Sequence, residues 1–235
     1  MVQLTPNRPH VNLRVKFIKK GSLQYISHLD LVRTMHKIIV RAGLPLWYTE
    51  GFNPKPKMVF AAPLSIGVES VCEFMDIKLI DDMPVDEVIK RLNANMTDEM
   101  QVIDAYYTEE KLTALKWLSY NIVIKTCGAS EELAERCQAY LTSGEVLVVK
   151  KKKNGELGAE SNISSEIREA RCAFKDGNLV IDCVLSADAS SFLNPEYIVK
   201  ALRGAGLALM SPDLLLEYYS IMRLEAFCED MSEFK

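Results

Sequence analysis

VNLRVKFIKKGSLQYISHLDLVRTMHKIIVRAGLP, residues 11–45, decides how the rest of the chain is read. Over its first nine residues Val11, Leu13, Val15 and Phe17 alternate with Asn12, Arg14 and Lys16, the period of two that gives a strand one apolar and one polar face. Lys20-Gly21 ends that strand. From Ser27 the period lengthens. Leu29, Val32, Met35, Ile39 and Val40 are read as one apolar stripe of a helix, with Ser27 as N-cap and Asp30 three residues on. Gly43 and Pro45 stop the helix.

Working outward, extended segments are expected at 46–60 and 71–79, the first broken by Gly51-Phe52-Asn53-Pro54-Lys55-Pro56-Lys57. Pro84 opens a second amphipathic helix through Val85, Val88, Ile89 and Leu92, and residues 100–107 supply a last strand. The second half repeats this order without repeating its sequence. Strands are predicted at 118–125 and 145–150 around a helix at 130–141. A strand at 178–185 follows the Lys175-Asp176-Gly177 turn, then a helix at 195–203 and a strand at 218–226. Residues 151–171 fit no element. The expected fold class is therefore α+β, two tandem ferredoxin-like (βαββαβ) units spanning 1–110 and 117–235 and joined near 109–117.

Composition narrows the functional classes. With 235 residues and 49% apolar content, the chain can bury a large core, which argues against disorder as its main state. Its net charge of −4 disfavours a generic polyanion binder, but the charge is unevenly distributed. Residues 1–68 hold ten cations (Arg8, Arg14, Lys16, Lys19, Lys20, Arg33, Lys37, Arg41, Lys55, Lys57) against Asp30 and Glu50, a local +8 that leaves −12 for the remainder. Cys72, Cys127, Cys137, Cys172, Cys183 and Cys228 lie far apart with no C-x-x-C pair and no Cys-His spacing, which points to buried thiols in a reducing compartment and to no metal site or other cofactor. The N-terminal residues are polar and contain proline, and no run approaches a membrane span, so the cytoplasm is the expected location.

Candidate chemistry gathers between residues 19 and 73. Arg33, Lys37 and Arg41 recur at i, i+4 and i+8, one ridge of a helix that can track phosphates or simply be a solvated face. In the following loop two prolines stiffen the chain, Phe52 offers a ring, Asn53 a polar amide, and Lys55 and Lys57 offer charge. That combination serves single-stranded nucleic acid, the ring stacking on a base while cations meet the backbone; the structural alternative is Phe52 as a core plug. His28, with Asp30 and Tyr25 nearby, is the acid–base candidate for cleaving RNA, against the plainer reading that His28 and Asp30 stabilise a helix start. Residues 150–153, four lysines before Asn154-Gly155, read as a loop tip with a possible auxiliary phosphate contact. There is no Gly-rich phosphate loop and no nucleophile elbow.

Lys20-Gly21, Tyr25, Ser27-His28-Leu29-Asp30, Arg33, Arg41-Ala42-Gly43-Leu44-Pro45, Gly51-Phe52-Asn53-Pro54, Pro56, Phe60, Pro63-Leu64, Gly67, Glu69-Ser70 and Glu73 together resemble the bacterial radical SAM-linked proteins. That family is a domain of unknown function, fused to or encoded beside cobalamin-binding-like radical SAM proteins. The resemblance implies a substrate-presenting partner of a radical SAM protein, with RNA as the natural substrate. Two departures stand out: Lys55 takes the place between the loop prolines where the family commonly has His, and Asn194-Pro195 replaces its usual Arg-Pro. The tandem layout also looks like that of CRISPR-repeat-processing endoribonucleases and of some tRNA pseudouridine synthases, a likeness of fold that does not transfer function. Three functions follow as expectations: an RNA-binding accessory module contacting its ligand through Arg33, Lys37, Arg41, Phe52, Asn53, Lys55 and Lys57; a metal-independent endoribonuclease built on His28 with Tyr25 or Lys55; and a non-catalytic protein scaffold.

Overall fold

The computed structural model describes residues 10–151, 157–213 and 215–235. The fold is α+β and divides into two units, one spanning Met1–Ala114 and taking in Lys235, the other spanning Leu115–Phe234. No helix among the described residues is long and apolar enough to cross a membrane.

In the first unit the order is β1 (Val11–Lys19), α1 (His28–Arg41), β2 (Met58–Phe60), β3 (Val68–Leu79), α2 (Val85–Asn93) and β4 (Val102–Tyr107). β1 pairs antiparallel with both β3 and β4, and β3 pairs antiparallel with β2, so the strands lie β4-β1-β3-β2. Leu13 faces Ile77 and Val15 faces Met75 across the β1–β3 ladder, and all four are fully buried. They form one core with Leu31, Met35, Ile38 and Ile39 of α1 and with Val88 and Leu92 of α2, so both helices cover the same sheet face. Each such side chain contributes about 1.5–3 kcal/mol by leaving water.

The stripe of α1 differs from the expected one. Leu31, Met35, Ile38, Ile39 and Ala42 go inward, whereas Leu29 is 58% and Val40 50% exposed. The buried set steps by 4, 3, 1 and 3 residues, the spacing of a 3.6-residue period, and the helix carries a second apolar row that the core leaves outside. The segment expected as extended from 46 to 60 is also less regular. Only Met58–Phe60 forms a ladder, with Leu46 bridged to Leu79 and Tyr48 bridged to Pro56.

The second unit contains β5 (Trp117–Lys125), α3 (Glu131–Leu141), β6 (Leu147–Lys151), β7 (Leu157–Asn162), β8 (Ile167–Lys175), β9 (Asn178–Ser186), α4 (Glu196–Gly204) and β10 (Tyr218–Phe227). Its sheet runs β10-β5-β9-β8 and is antiparallel throughout. The strand expected at 145–150 does not join this sheet. It is β6, paired with β7 in a separate two-stranded ribbon, and the sheet edge is β8, part of which falls in the stretch that fitted no element. Arg168, Glu169 and Arg171 on β8 are exposed, and charges on an edge strand keep it from pairing further but erase the alternation that marks a strand. Asp176 (φ 51°) and Gly177 (φ 79°) close the β8–β9 hairpin with both central residues at positive φ, the geometry that matches strand twist. Gln138 of α3 then reaches β8, donating to the Ala170 carbonyl (2.7 Å) and accepting from the Cys172 N–H (2.7 Å).

Ahead of β10, the side chain of Glu217 clamps a loop. It accepts from the Thr126 hydroxyl (2.6 Å), the Cys127 N–H (2.8 Å) and the Ser211 N–H, and Thr126 in turn accepts from the Leu209 N–H (3.0 Å). The Thr126 bond, helped by the two backbone N–H groups and opposed by burial, holds this carboxyl below its ordinary 4.5. A carboxyl more acidic when folded binds fewer protons than the unfolded chain does, so its stabilisation is complete above the ordinary value and fades as pH falls through the folded one. Glu217→Gln should therefore lower the thermal midpoint at pH 7, and the gap from the parent should close on acidification below about 4. A gap independent of pH would mean that the carboxylate charge does not make the clamp.

Candidate functional site

Ser27 begins α1 as a capping residue: its hydroxyl oxygen accepts from the Asp30 N–H (3.1 Å), and its own proton goes to Asp30 Oδ2 (2.7 Å). Arg33 donates to the other oxygen, Oδ1, at 3.1 Å. The Ser27 bond first, and Arg33 second, lower the Asp30 carboxyl from its usual range. Beside it, the exposed His28 ring stands edge-on to Phe60 (5.5 Å, 83°), which in turn meets Phe17 of the core (6.2 Å, 77°). Tyr25, at the end of a 3-10 turn over Gly21–Tyr25, is 67% exposed. Among the described residues no hydrogen bond links His28 to Tyr25, Asp30 or Lys55.

The residues before this helix are occupied by scaffolding. Gly21 sits at φ +59°, where a Cβ would strike the Glu99 carboxylate, and its N–H donates to Glu69 Oε1 (2.6 Å). The next N–H, from Ser22, meets Glu99 Oε1 (3.0 Å), and Gly67 N–H meets the Gln24 carbonyl (2.9 Å). Lys19 is buried, donating to the carbonyls of Leu23 (3.1 Å) and Val68 (3.2 Å). The motif residues Gly21, Gly67 and Glu69 thus hold the 3-10 turn against the start of β3.

Burial also reduces the charge excess counted from the sequence. Arg14 and Lys19 are buried, Lys16 lies over the Phe74 ring (5.6 Å), and Arg8 is outside the described residues, as are Lys152, Lys153, Asn154 and Gly155 of the lysine run. Lys37, Arg41, Lys55 and Lys57 remain exposed and form no ion pair among the described residues; Arg33 is exposed but shared with Asp30. Arg33, Lys37 and Arg41 do lie along one side of α1. Phe52 is not a core plug: its ring is fully exposed, and Asn53 beside it is exposed too. The loop that carries them is closed by Thr49 N–H to Lys55 O (2.8 Å), Lys55 N–H to Thr49 Oγ1 (3.1 Å) and Lys57 N–H to Trp47 O (3.1 Å).

Lys57 does not share a sheet face with the α1 cations. Met58 and Phe60 pack toward the core that α1 covers, and strand alternation turns Lys57 and Val59 to the opposite sheet face. There they line a groove of about 600 Å³ with Asp76, Lys78, Tyr107 and residues 108–112. The sequence did not single out Lys78, Tyr107 or Lys111, because only the β2–β3 register brings Lys57 opposite Lys78. Below the groove Arg14, fully buried, makes a two-pronged pair with Asp76 (2.8 and 3.1 Å) and donates to the Glu110 carbonyl (2.7 Å).

The thiols follow their surroundings. Burial pushes Cys137 up to about 11 and Cys172 to about 12, and raises Cys183 as well, so these three are poor nucleophiles and poor ligands at neutral pH. Among the described residues no three His, Cys, Asp or Glu side chains gather around a possible ion.

Residues 12–195 match a family described as "Uncharacterized protein conserved in bacteria (DUF2344)". No curated protein matches the chain. Among solved structures, a chain of a Cbf5-Nop10-Gar1 complex is 11% identical with a TM-score of 0.48, covering 93% of this chain and 50% of its own length. An unknown protein from Galdieria sulphuraria is 11% identical with a TM-score of 0.26, covering 92% of this chain and 99% of that one. An anthrone oxidase-like protein is 11% identical with a TM-score of 0.24, covering 91% and 90%. The chain thus spans half the length of the first of these, and at such scores none of the likenesses bears on function.

Proposed function

This chain belongs to the family of uncharacterized proteins conserved in bacteria, and on that premise we propose that its first unit is an RNA-binding accessory module. The observation that carries the reading is the Phe52 ring, fully exposed at the end of a loop closed by three hydrogen bonds and followed by Lys55, which is exposed and forms no ion pair among the described residues. An exposed aromatic on a stiff loop costs little entropy to immobilise on a base, and stacking there tolerates any sequence. Lys37 and Arg41 on α1, with Arg33 beside them, supply cations for the backbone. In this reading the module is non-catalytic, because both Asp30 oxygens are taken by Ser27 and Arg33 and His28 rests on Phe60.

The strand orders β4-β1-β3-β2 and β10-β5-β9-β8, each with two helices, support reading the chain as two ferredoxin-like units, with β6 and β7 inserted in the second. The partner we propose is a radical SAM protein, to which the module presents RNA. The motif resemblance supports this, as do Tyr25 and Leu29, two large apolar residues of the motif left in solvent.

Binding of a short fluorescent single-stranded RNA, followed by anisotropy across a salt series, tests the module. Phe52→Ala should weaken binding about tenfold or more, the worth of one stacked base. The pair Arg33→Glu and Arg41→Glu should weaken it further and flatten the salt dependence by about one unit of slope per lost contact. Affinity that ignores all three substitutions would overturn the proposal.

A further inference from the structure

The groove on the open face of the first unit's sheet carries a charge arrangement that RNA stacking on Phe52 does not use. Lys57 and Lys78 stand opposite each other where β2 meets β3, with Lys78 N–H bonded to the Lys57 carbonyl (3.1 Å), and both side chains line the groove. Two like charges directly across a ladder repel each other, and the usual remedy is a carboxylate between them. Here the carboxylates are spent elsewhere: Asp76 on Arg14 and Asn12, Glu110 on Arg14. Lys78 meets His10 Nε2 instead (2.6 Å) and lies over the Trp47 ring (5.8 Å), neither of which brings a carboxylate to it. Lys111 adds a third cation to the rim, against Glu109.

One wall is aromatic and fixed. The Tyr107 hydroxyl donates to the Met83 carbonyl (2.9 Å) and accepts from the Met83 N–H (2.7 Å), so the partly exposed ring cannot turn away from the groove. At about 600 Å³ the space is much larger than an inorganic anion needs and lies within the range of small-molecule sites. From these features we infer that the groove binds a nucleotide through its phosphate, with the phosphate between Lys57 and Lys78 and the base against Tyr107. A phosphate monoester carries close to two negative charges at neutral pH, so between the Lys57 and Lys78 side chains it would offset the charge of both ammonium groups. The inference rests on Lys57, Lys78 and Tyr107, none of which is among the proposed RNA contacts, so it does not depend on that reading.

Isothermal titration of the full chain with AMP tests this. AMP should bind saturably, and adenosine and inorganic phosphate should each bind more weakly, because each makes half of the contacts. Lys57→Gln and Lys78→Gln should each reduce AMP affinity about tenfold, the effect of removing one charge-assisted bond. Lys57 is exposed at the chain surface, so its variant keeps the test open even if Lys78→Gln perturbs the sheet. A 5′-phosphorylated trinucleotide that binds with the same lysine dependence, while its 5′-hydroxyl form does not, assigns the groove to an RNA end; AMP binding without it assigns a free nucleotide. Absence of heat beyond dilution at millimolar AMP, adenosine binding as well as AMP, or AMP affinity unchanged in both lysine variants would each overturn the inference. RNA binding at Phe52 is measured separately, so either reading can fail alone.

Discussion

Asp76→Ala is expected to destabilise the first unit by about 3–5 kcal/mol, the range for removing one partner of a buried ion pair. Arg14 enters the folded unit with its side chain wholly out of water, and Asp76 offers both oxygens to it at 2.8 and 3.1 Å. Bringing the guanidinium out of water is costly, and the carboxylate recovers that cost only while both prongs are in place. Without Asp76 the cation keeps the Glu110 carbonyl and the Lys235 main-chain oxygen, each at 2.7 Å, and a longer approach to the Glu110 carboxylate at 3.5 Å, but no bidentate carboxylate, while the Asn12 amide loses its acceptor as well. The double change Arg14→Met with Asp76→Leu should recover most of the loss, because an apolar pair of similar size needs no such compensation. Each unit contains one of the two tryptophans, Trp47 in the first and Trp117 in the second. Urea unfolding of a Trp117→Phe background therefore follows the first unit through Trp47. A loss below about 1 kcal/mol, the worth of a surface pair, would show that water reaches the contact.

The same residue shows where sequence and structure part. Alternation along residues 11–17 identifies β1 and assigns Arg14 to its polar face, and both readings hold. What alternation cannot tell is that this polar face is covered, because the cover comes from Asp76 and Glu110, 62 and 96 residues away. Two of the ten cations that made the N-terminal third look phosphate-facing, Arg14 and Lys19, are consumed this way. Short-range features were legible for the same reason. The Ser27 cap with Asp30 three residues on requires one turn of helix, and the Asp176-Gly177 turn requires two residues at positive φ; each signal is local. The split of β6 and β7 from β8 is long-range. It depends on which of three weakly patterned segments pairs with β9, a choice that the buried backbone of β9 makes and the segments themselves do not announce. Of the candidate site, the loop that carries Phe52 announces itself through its glycine and prolines, but Lys78, Lys111 and Tyr107 became visible only once the register of β2 on β3 was known.

The orientation of α1 supports a second large effect. Leu31→Ala and Ile38→Ala should each cost about 2–5 kcal/mol, the price of deleting a large core side chain and leaving a cavity. Leu29→Ala and Val40→Ala should change stability by no more than about 0.5 kcal/mol, as surface substitutions do. Hydrophobicity alone predicts nearly the opposite contrast, since Leu29 and Val40 belong to the stripe read from the sequence and Leu31 and Ile38 do not. The structure settles on the other row because Leu31 and Ile38, with Met35 and Ile39, meet Val15, Phe17 and Met75 in one cluster, whereas Leu29 and Val40 have solvent beside them. Urea midpoints for the four variants, read at Trp47, separate the two orientations without reference to any ligand. Equal losses in all four would place the Leu29 row in contact with protein as well. If the contrast holds, Leu29 is a large exposed apolar residue that folding does not need, which leaves it available for binding.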